Sequence, residues 1–161
     1  MLNPRPYQQD ALAAIRQARA DGKRRVILSL PTGGGKTIIF AHQVVEDARK
    51  GRVLILVHRD ELVHQTLDKL QQLAPDLSVG IVKADRNEVD APIVLASVQT
   101  LARPSRLHQL AQHWQLIIVD ECHHVDGDCC RPGPPCGPVL GGNPAWSLCV
   151  VDGREYVPPP L

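Results

Sequence analysis

Apolar residues along this chain fall into two alternating textures. Five short runs are apolar at nearly every position: Val26 to Leu30, Val53 to Val57, Val79 to Val82, Ile93 to Ala96 and Leu116 to Val119. Runs of this length, bounded by polar or turn residues, read as strands buried on both faces. Between them, apolar residues recur every three to four positions. Residues 7–20 set Tyr7, Ala11, Leu12, Ile15 and Ala18 on one helical face, with Gly22 as a stop signal. Residues 37–49 read as a second helix. Residues 60–74 align Leu62, Val63, Thr66, Leu67, Leu70 and Leu73, with Asp60 and Glu61 in the first turn, where negative charge is favourable. Ser105 can cap a shorter helix carrying Leu107, Leu110 and Ala111. The alternation predicts an α/β fold, a parallel sheet with helices on both faces. Ligands of such sheets bind at the carboxyl ends of the strands.

Composition narrows the class. The chain has 161 residues, a length that fits one domain. Lys and Arg number 18 against 17 Asp and Glu, so attachment to nucleic acid by bulk positive charge is excluded. No run approaches the ~18 apolar residues of a membrane span. The start, Met1-Leu2-Asn3-Pro4-Arg5-Pro6, has no apolar stretch behind it that would make a signal peptide. The expectation is a cytoplasmic protein with no membrane partner. With five aromatic residues, its core must rest on Val, Ile, Leu and Ala.

Two strand ends carry unusual chemistry. The first runs into Leu30-Pro31-Thr32-Gly33-Gly34-Gly35-Lys36-Thr37 and opens a helix. Glycines permit close backbone approach to a phosphate, and a loop entering a helix N-terminus supplies N–H donors. Thr32, Gly33, Gly34, Gly35, Lys36 and Thr37 are therefore candidate nucleotide-binding residues. Lys36 would reach the β- and γ-phosphates of ATP, and the Thr37 hydroxyl would ligate Mg²⁺. A Gly-rich turn is the plainer alternative, and Leu30 stands where the full motif has Gly. The fifth strand ends in Val119-Asp120-Glu121-Cys122-His123-His124. Asp120 would hold Mg²⁺ and Glu121 could act as general base on an attacking water. His123 and His124 with Cys122, Cys129, Cys130 or Cys136 also offer zinc-ligand chemistry, although their spacing matches no standard zinc framework.

Together the two motifs resemble the first motor domain of superfamily 2 DExH helicases and translocases, closest in flavour to the ATPases of type I and III restriction enzymes. The DExH pattern stands here as Asp120-Glu121-Cys122-His123. The resemblance covers roughly residues 4–125. It implies a RecA-like P-loop NTPase fold that uses ATP and Mg²⁺ and acts on DNA, with RNA as the alternative. It implies that His123 links the nucleotide site to strand separation. Arg5-Pro6-Tyr7-Gln8-Gln9 looks like the family's adenine-reading segment, with Gln8 on the adenine edge and Arg5 assisting. Leu56 to Gln65 looks like a backbone-contacting motif in which Arg59 would meet a nucleic-acid phosphate. Ala96-Ser97-Val98-Gln99-Thr100-Leu101 looks like a later gripping motif, with Ser97, Gln99 and Thr100 as polar contacts. The bland alternatives are a solvated ion pair for Arg59 and a helix cap for the last segment.

The texture breaks near Val125–Gly127. Residues 127–161 hold 8 of the 14 prolines, 6 of the 12 glycines and four of the five cysteines. The division is a RecA-like domain over 1–126 and an irregular tail over 127–161, in which Val150, Val151 and Tyr156-Val157 make strand fragments at most. A Ser/Thr-Ala-Thr motif, which family members carry beyond DExH, is not found there. Nor is a second RecA-like domain, which would have to be missing or supplied by another chain. The break predicts a truncation or a change of reading frame just after Val125, leaving a fragment that binds ATP at most. A specialised metal-binding extension is the rival reading. With its C-terminal strands missing, the sheet would leave Val26–Leu30 at an edge. The isolated chain would then be marginally stable.

Overall fold

The computed structural model describes residues 3–31, 33–58, 60–83, 85–101, 103–110, 113–120 and 146–152. Five strands form where the apolar runs stand: β1 (Arg25–Leu30), β2 (Val53–Val57), β3 (Val79–Lys83), β5 (Ile93–Ser97) and β6 (Leu116–Asp120). A two-residue strand β4 (Arg86–Asn87) turns back on β3, and β7 (Trp146–Asp152) follows β6. The helices are α1 (Pro6–Ala20), α2 (Lys36–Ala48), α3 (Asp60–Leu73), α4 (Val98–Leu101) and α5 (Pro104–Gln109). All seven strands join one sheet in the order β1-β7-β6-β2-β5-β3-β4, parallel except for the antiparallel β3–β4 pair.

Period-2 alternation sends each strand's side chains to two separate cores. Val53, Ile55 and Val57 face Leu12, Ile15, Ile39, Phe40, Val44, Val63 and Leu70 of α1 to α3. Leu54 and Leu56 face Leu101, Leu110 and Trp114 on the other side. The interior strands β2, β5 and β6 are buried at every position, as helices on both faces require.

Two features depart from the sequence expectation. Trp146–Asp152 lies in the reach that reads as an irregular tail, yet it is a strand paired on both sides, with β1 and with β6. Its Leu148, Cys149 and Val150 are buried. A short apolar run is what a parallel interior strand needs, and the surrounding Pro and Gly do not forbid it. The first strand does stand at one edge of the sheet among the described residues, with Ile27 41% exposed. Its inner neighbour is β7, a strand the sequence reading leaves out of the sheet. The boundary at 125–127 lies outside the described residues.

At the end of the sheet opposite the strands' carboxyl ends, a buried carboxylate ties three elements together. Asp47 in the last turn of α2 is fully buried and accepts both guanidinium nitrogens of Arg19 at 3.2 and 3.0 Å. It also accepts the Gln43 amide at 2.7 Å and the Gln115 amide at 3.5 Å. Arg52 next to β2 lies over the Trp114 ring, 4.7 Å from its centroid, and donates to the carbonyls of Val89 and Ala91. At the far edge, Glu88 extends the β3 ladder beyond the short β4. Its carboxylate accepts the Ile81 N–H at 2.9 Å while its own N–H donates to the Ile81 carbonyl at 3.1 Å. Bonds from Arg86 and from the Ile81 N–H hold the Glu88 carboxyl below its ordinary pKa.

Candidate functional site

The glycine loop between β1 and α2 is built around two residues with positive φ. Gly33 has φ 79° and Gly35 has φ 71°, a left-handed conformation that side chains with a Cβ disfavour. The Gly34 N–H closes on the Pro31 carbonyl at 2.9 Å, and the Gly35 carbonyl receives the N–H groups of Ile38 and Ile39 at 3.0 and 3.3 Å. Gly35 is the N-cap of α2, so no side chain caps the helix, and its first turn carries no acidic residue. The first-turn N–H groups of a helix have no acceptor within it, and the helix dipole places positive charge there. This end of a 13-residue helix is therefore open to an anion. Lys36 and Thr37, its first two residues, are half-buried.

The N-terminal segment folds back on this loop. A cavity of about 210 Å³ is lined by Asn3, Arg5, Tyr7, Gln8, Gly33, Gly35 and Ile38. That is the scale of a base rather than of a whole drug-sized ligand. The two adenine-reading candidates, Arg5 and Gln8, are thus brought together with Gly33 and Gly35. Gln8 is buried at 4% exposure. Its Oε1 accepts the Arg5 N–H at 2.8 Å and its Nε2 donates to the Tyr7 hydroxyl at 3.4 Å. The Tyr7 hydroxyl donates in turn to the Gly34 carbonyl at 3.0 Å. Gln8 comes so close to Gly35 that a Cβ there would lie 2.2 Å from its Nε2.

Helical spacing puts Tyr7 on the apolar face of α1. The buried face of α1 runs instead through Gln8, Leu12 and Ile15, and Tyr7 is 41% exposed. A polar residue on the core side of a helix is a signal that could have revealed the swap.

Asp120 closes β6 and is 7% exposed. It pairs in register with Val150 of β7, which pairs on its other side with Leu28 of β1. One strand therefore separates Asp120 from the strand that feeds the glycine loop, a distance across the sheet of about 10 Å. Both lie toward the carboxyl edge, where ligands of such sheets bind. Farther along that edge stand Ser97 at the end of β5, then Gln99 and Thr100 in α4. Gln99 is exposed and Thr100 half-buried. Ser97 is completely buried and its Oγ has no hydrogen-bond partner, so in this conformation it offers a nucleic-acid strand no surface. Its place is fixed by β5, whose every side chain is packed between neighbouring strands or helices. Thr32, Arg59, Glu121 and His123 lie outside the described residues, as do the zinc-ligand candidates Cys122, His124, Cys129, Cys130 and Cys136.

The sheet and its helices define a RecA-like domain. The chain belongs to the family described as "Type III restriction enzyme, res subunit", whose model matches residues 1–134. It has the first RecA-like domain of the superfamily 2 type. It is 43% identical over 131 residues to "Putative ATP-dependent helicase IRC3" of Saccharomyces cerevisiae, a match covering 74% of this chain and 19% of that protein. It is 33% identical over 132 residues to "Type I restriction enzyme EcoAI endonuclease subunit" of Escherichia coli, covering 75% and 16%. The chain thus spans about a fifth or less of the length of these relatives. Among solved structures, the Sulfolobus solfataricus SWI2/SNF2 ATPase core in complex with dsDNA aligns with a TM-score of 0.73 at 20% identity. That alignment covers 94% of this chain and 32% of that one, and supports the fold. Among the described residues no helix is long and apolar enough to cross a membrane.

Proposed function

We propose that this chain is the ATP-binding part of a motor that couples Mg-ATP hydrolysis to movement on DNA. One observation carries the reading. The only two residues expected to read a base, Arg5 and Gln8, share a cavity with the glycines of the loop that opens an uncapped helix N-terminus. Base and phosphate recognition are thereby joined at one place.

In this reading Gly33, Gly34 and Gly35 with Thr32 surround the phosphates, and Lys36 neutralises the β- and γ-oxygens. Thr37 and Asp120 supply hard oxygen donors suited to Mg²⁺, which when bound offsets phosphate charge. Glu121 accepts a proton from the attacking water, and His123 carries the state of the site toward the nucleic-acid face. Gln99, Thr100 and Arg59 meet the strand. Movement along nucleic acid is assigned to the complete protein with a second RecA-like domain. The names of the relatives, an ATP-dependent helicase and a restriction endonuclease subunit, support this assignment.

The test is equilibrium titration of the chain with a magnesium-loaded, non-hydrolysable ATP analogue. Wild type should bind, and Lys36→Ala should weaken binding about 10- to 100-fold, the worth of one charge-assisted phosphate contact. Equal affinity in the two proteins would refute the reading.

A further inference from the structure

Tyr7 sits in the middle of a one-directional series of hydrogen bonds. The Arg5 N–H can only donate, so it fixes which end of the Gln8 carboxamide faces it: Oε1, at 2.8 Å. Nε2 is left to donate to the Tyr7 hydroxyl oxygen at 3.4 Å. The single hydroxyl proton of Tyr7 then goes to the Gly34 carbonyl at 3.0 Å. The three bonds run in one direction and use one donor and one acceptor position of the carboxamide. Gly35, lacking a Cβ, is what lets the carboxamide reach this position over the loop.

We infer that Tyr7 is a positioning residue that sets base specificity, because its hydroxyl locks the Gln8 carboxamide to the glycine loop. The inference rests on the nucleotide-binding reading above and adds a positioning residue to it. Gln8 lines the cavity, and its carboxamide keeps a second Nε2 hydrogen and a second Oε1 lone pair. That donor–acceptor pair matches the N7 acceptor and amino donor of adenine and mismatches the two acceptors of guanine. The Gly34 carbonyl takes the hydroxyl proton and so leaves the hydroxyl oxygen to accept from Gln8. The tyrosine side chain supplies this through its oxygen, since Tyr7 is 41% exposed and stands outside the core.

The experiment compares the wild-type chain with Tyr7→Phe, which keeps the ring and removes the oxygen. Each is titrated with magnesium-loaded adenosine triphosphate analogue, guanosine triphosphate analogue and inorganic tripolyphosphate. Tyr7→Phe should lose about 3- to 10-fold in affinity for the adenine nucleotide, the worth of one net hydrogen bond, while tripolyphosphate stays within about twofold. The preference for adenine over guanine should shrink by the same factor. Equal losses for all three ligands would mean that Tyr7 only braces the loop, and would overturn the inference. So would an unchanged adenine affinity. A second readout needs no ligand. The ¹⁵N-labelled side-chain amide resonances of Gln8 should shift and exchange faster in Tyr7→Phe, and an unmoved signal would overturn the inference. Failure of the wild-type chain to take any of the three ligands would refute the proposed function, and the Gln8 signal would still decide whether Tyr7 holds the carboxamide.

Discussion

The closeness of Gln8 to the glycine loop makes a differential prediction at two glycines. Gly33 and Gly35 share a left-handed backbone, φ 79° and 71°, but differ in surroundings. A Cβ at Gly33 would meet nothing within 4 Å, whereas one at Gly35 would lie 2.2 Å from Gln8 Nε2 and 3.5 Å from its Cδ. Placing Ala in this conformation costs about 1–2 kcal/mol. The loss of backbone freedom in the unfolded chain returns about 0.4–1 kcal/mol. Gly33→Ala should therefore destabilise by about 1 kcal/mol. Gly35→Ala incurs the same cost and also displaces the Gln8 carboxamide. The Arg5 and Tyr7 hydrogen bonds then break, at about 0.5–1.5 kcal/mol each. The difference between the two variants should be about 1–3 kcal/mol, read by urea unfolding. Repeating both substitutions in a Gln8→Ala background should erase most of the difference, because the colliding group is gone. If Gly35→Ala costs no more than Gly33→Ala, or if the gap survives in Gln8→Ala, Gln8 does not rest on Gly35 and the site has been assembled wrongly.

Asp47→Ala should destabilise by about 3–5 kcal/mol in urea unfolding, the cost of breaking a buried ion pair. Arg19, at 20% side-chain exposure, keeps some access to water, but the buried Gln43 amide would lose its 2.7 Å acceptor. An effect below about 1 kcal/mol would contradict the buried network, since that is the range of surface pairs. Glu46 gives a pH signature. Burial alone would raise its carboxyl, but bonds from Arg16 and Lys50 outweigh that and hold it below its ordinary value. A depressed carboxylate contributes stability that is full above the unfolded pKa and is lost as pH falls through the folded one. Glu46→Gln should therefore be less stable than wild type near neutrality by under about 1 kcal/mol, because both ion pairs are substantially exposed. The gap should close below about pH 4 in thermal melts, and a gap that widens on acidification would refute the assignment.

The parts of this fold that are legible in the sequence are those fixed by burial. Val53–Val57 is apolar throughout because both of its faces are covered, so composition alone marks it as an interior strand. Sheet order is a different kind of information. Strand β7 meets β6 across a long stretch of chain, and its run Leu148 to Val151 sits among residues whose composition suggests turns. Only the vacancy between β1 and β6 gives that run a reason to be a strand. The same limit applies at the site. The glycines, Lys36, Thr37 and Asp120 are legible because their chemistry is local to one strand end. The roles of Tyr7 and Ser97 depend on which side of an element faces a neighbour. On α1, Tyr7 and Gln8 are successive residues about 100° apart, and periodicity favours the aromatic for the core. The structure reverses them, because a Gln inside can meet both a backbone N–H and a hydroxyl, while the tyrosine oxygen reaches the loop from outside. The intercalated strand has a chemical consequence as well. Direct pairing of β1 with β6 would bring Asp120 to about 5 Å across the sheet from the strand feeding the glycine loop. With β7 between them the separation is about 10 Å, which leaves room for a phosphate chain and a metal ion between the helix N-terminus and the carboxylate. The segment whose sequence is least readable thus sets the spacing on which the proposed chemistry depends.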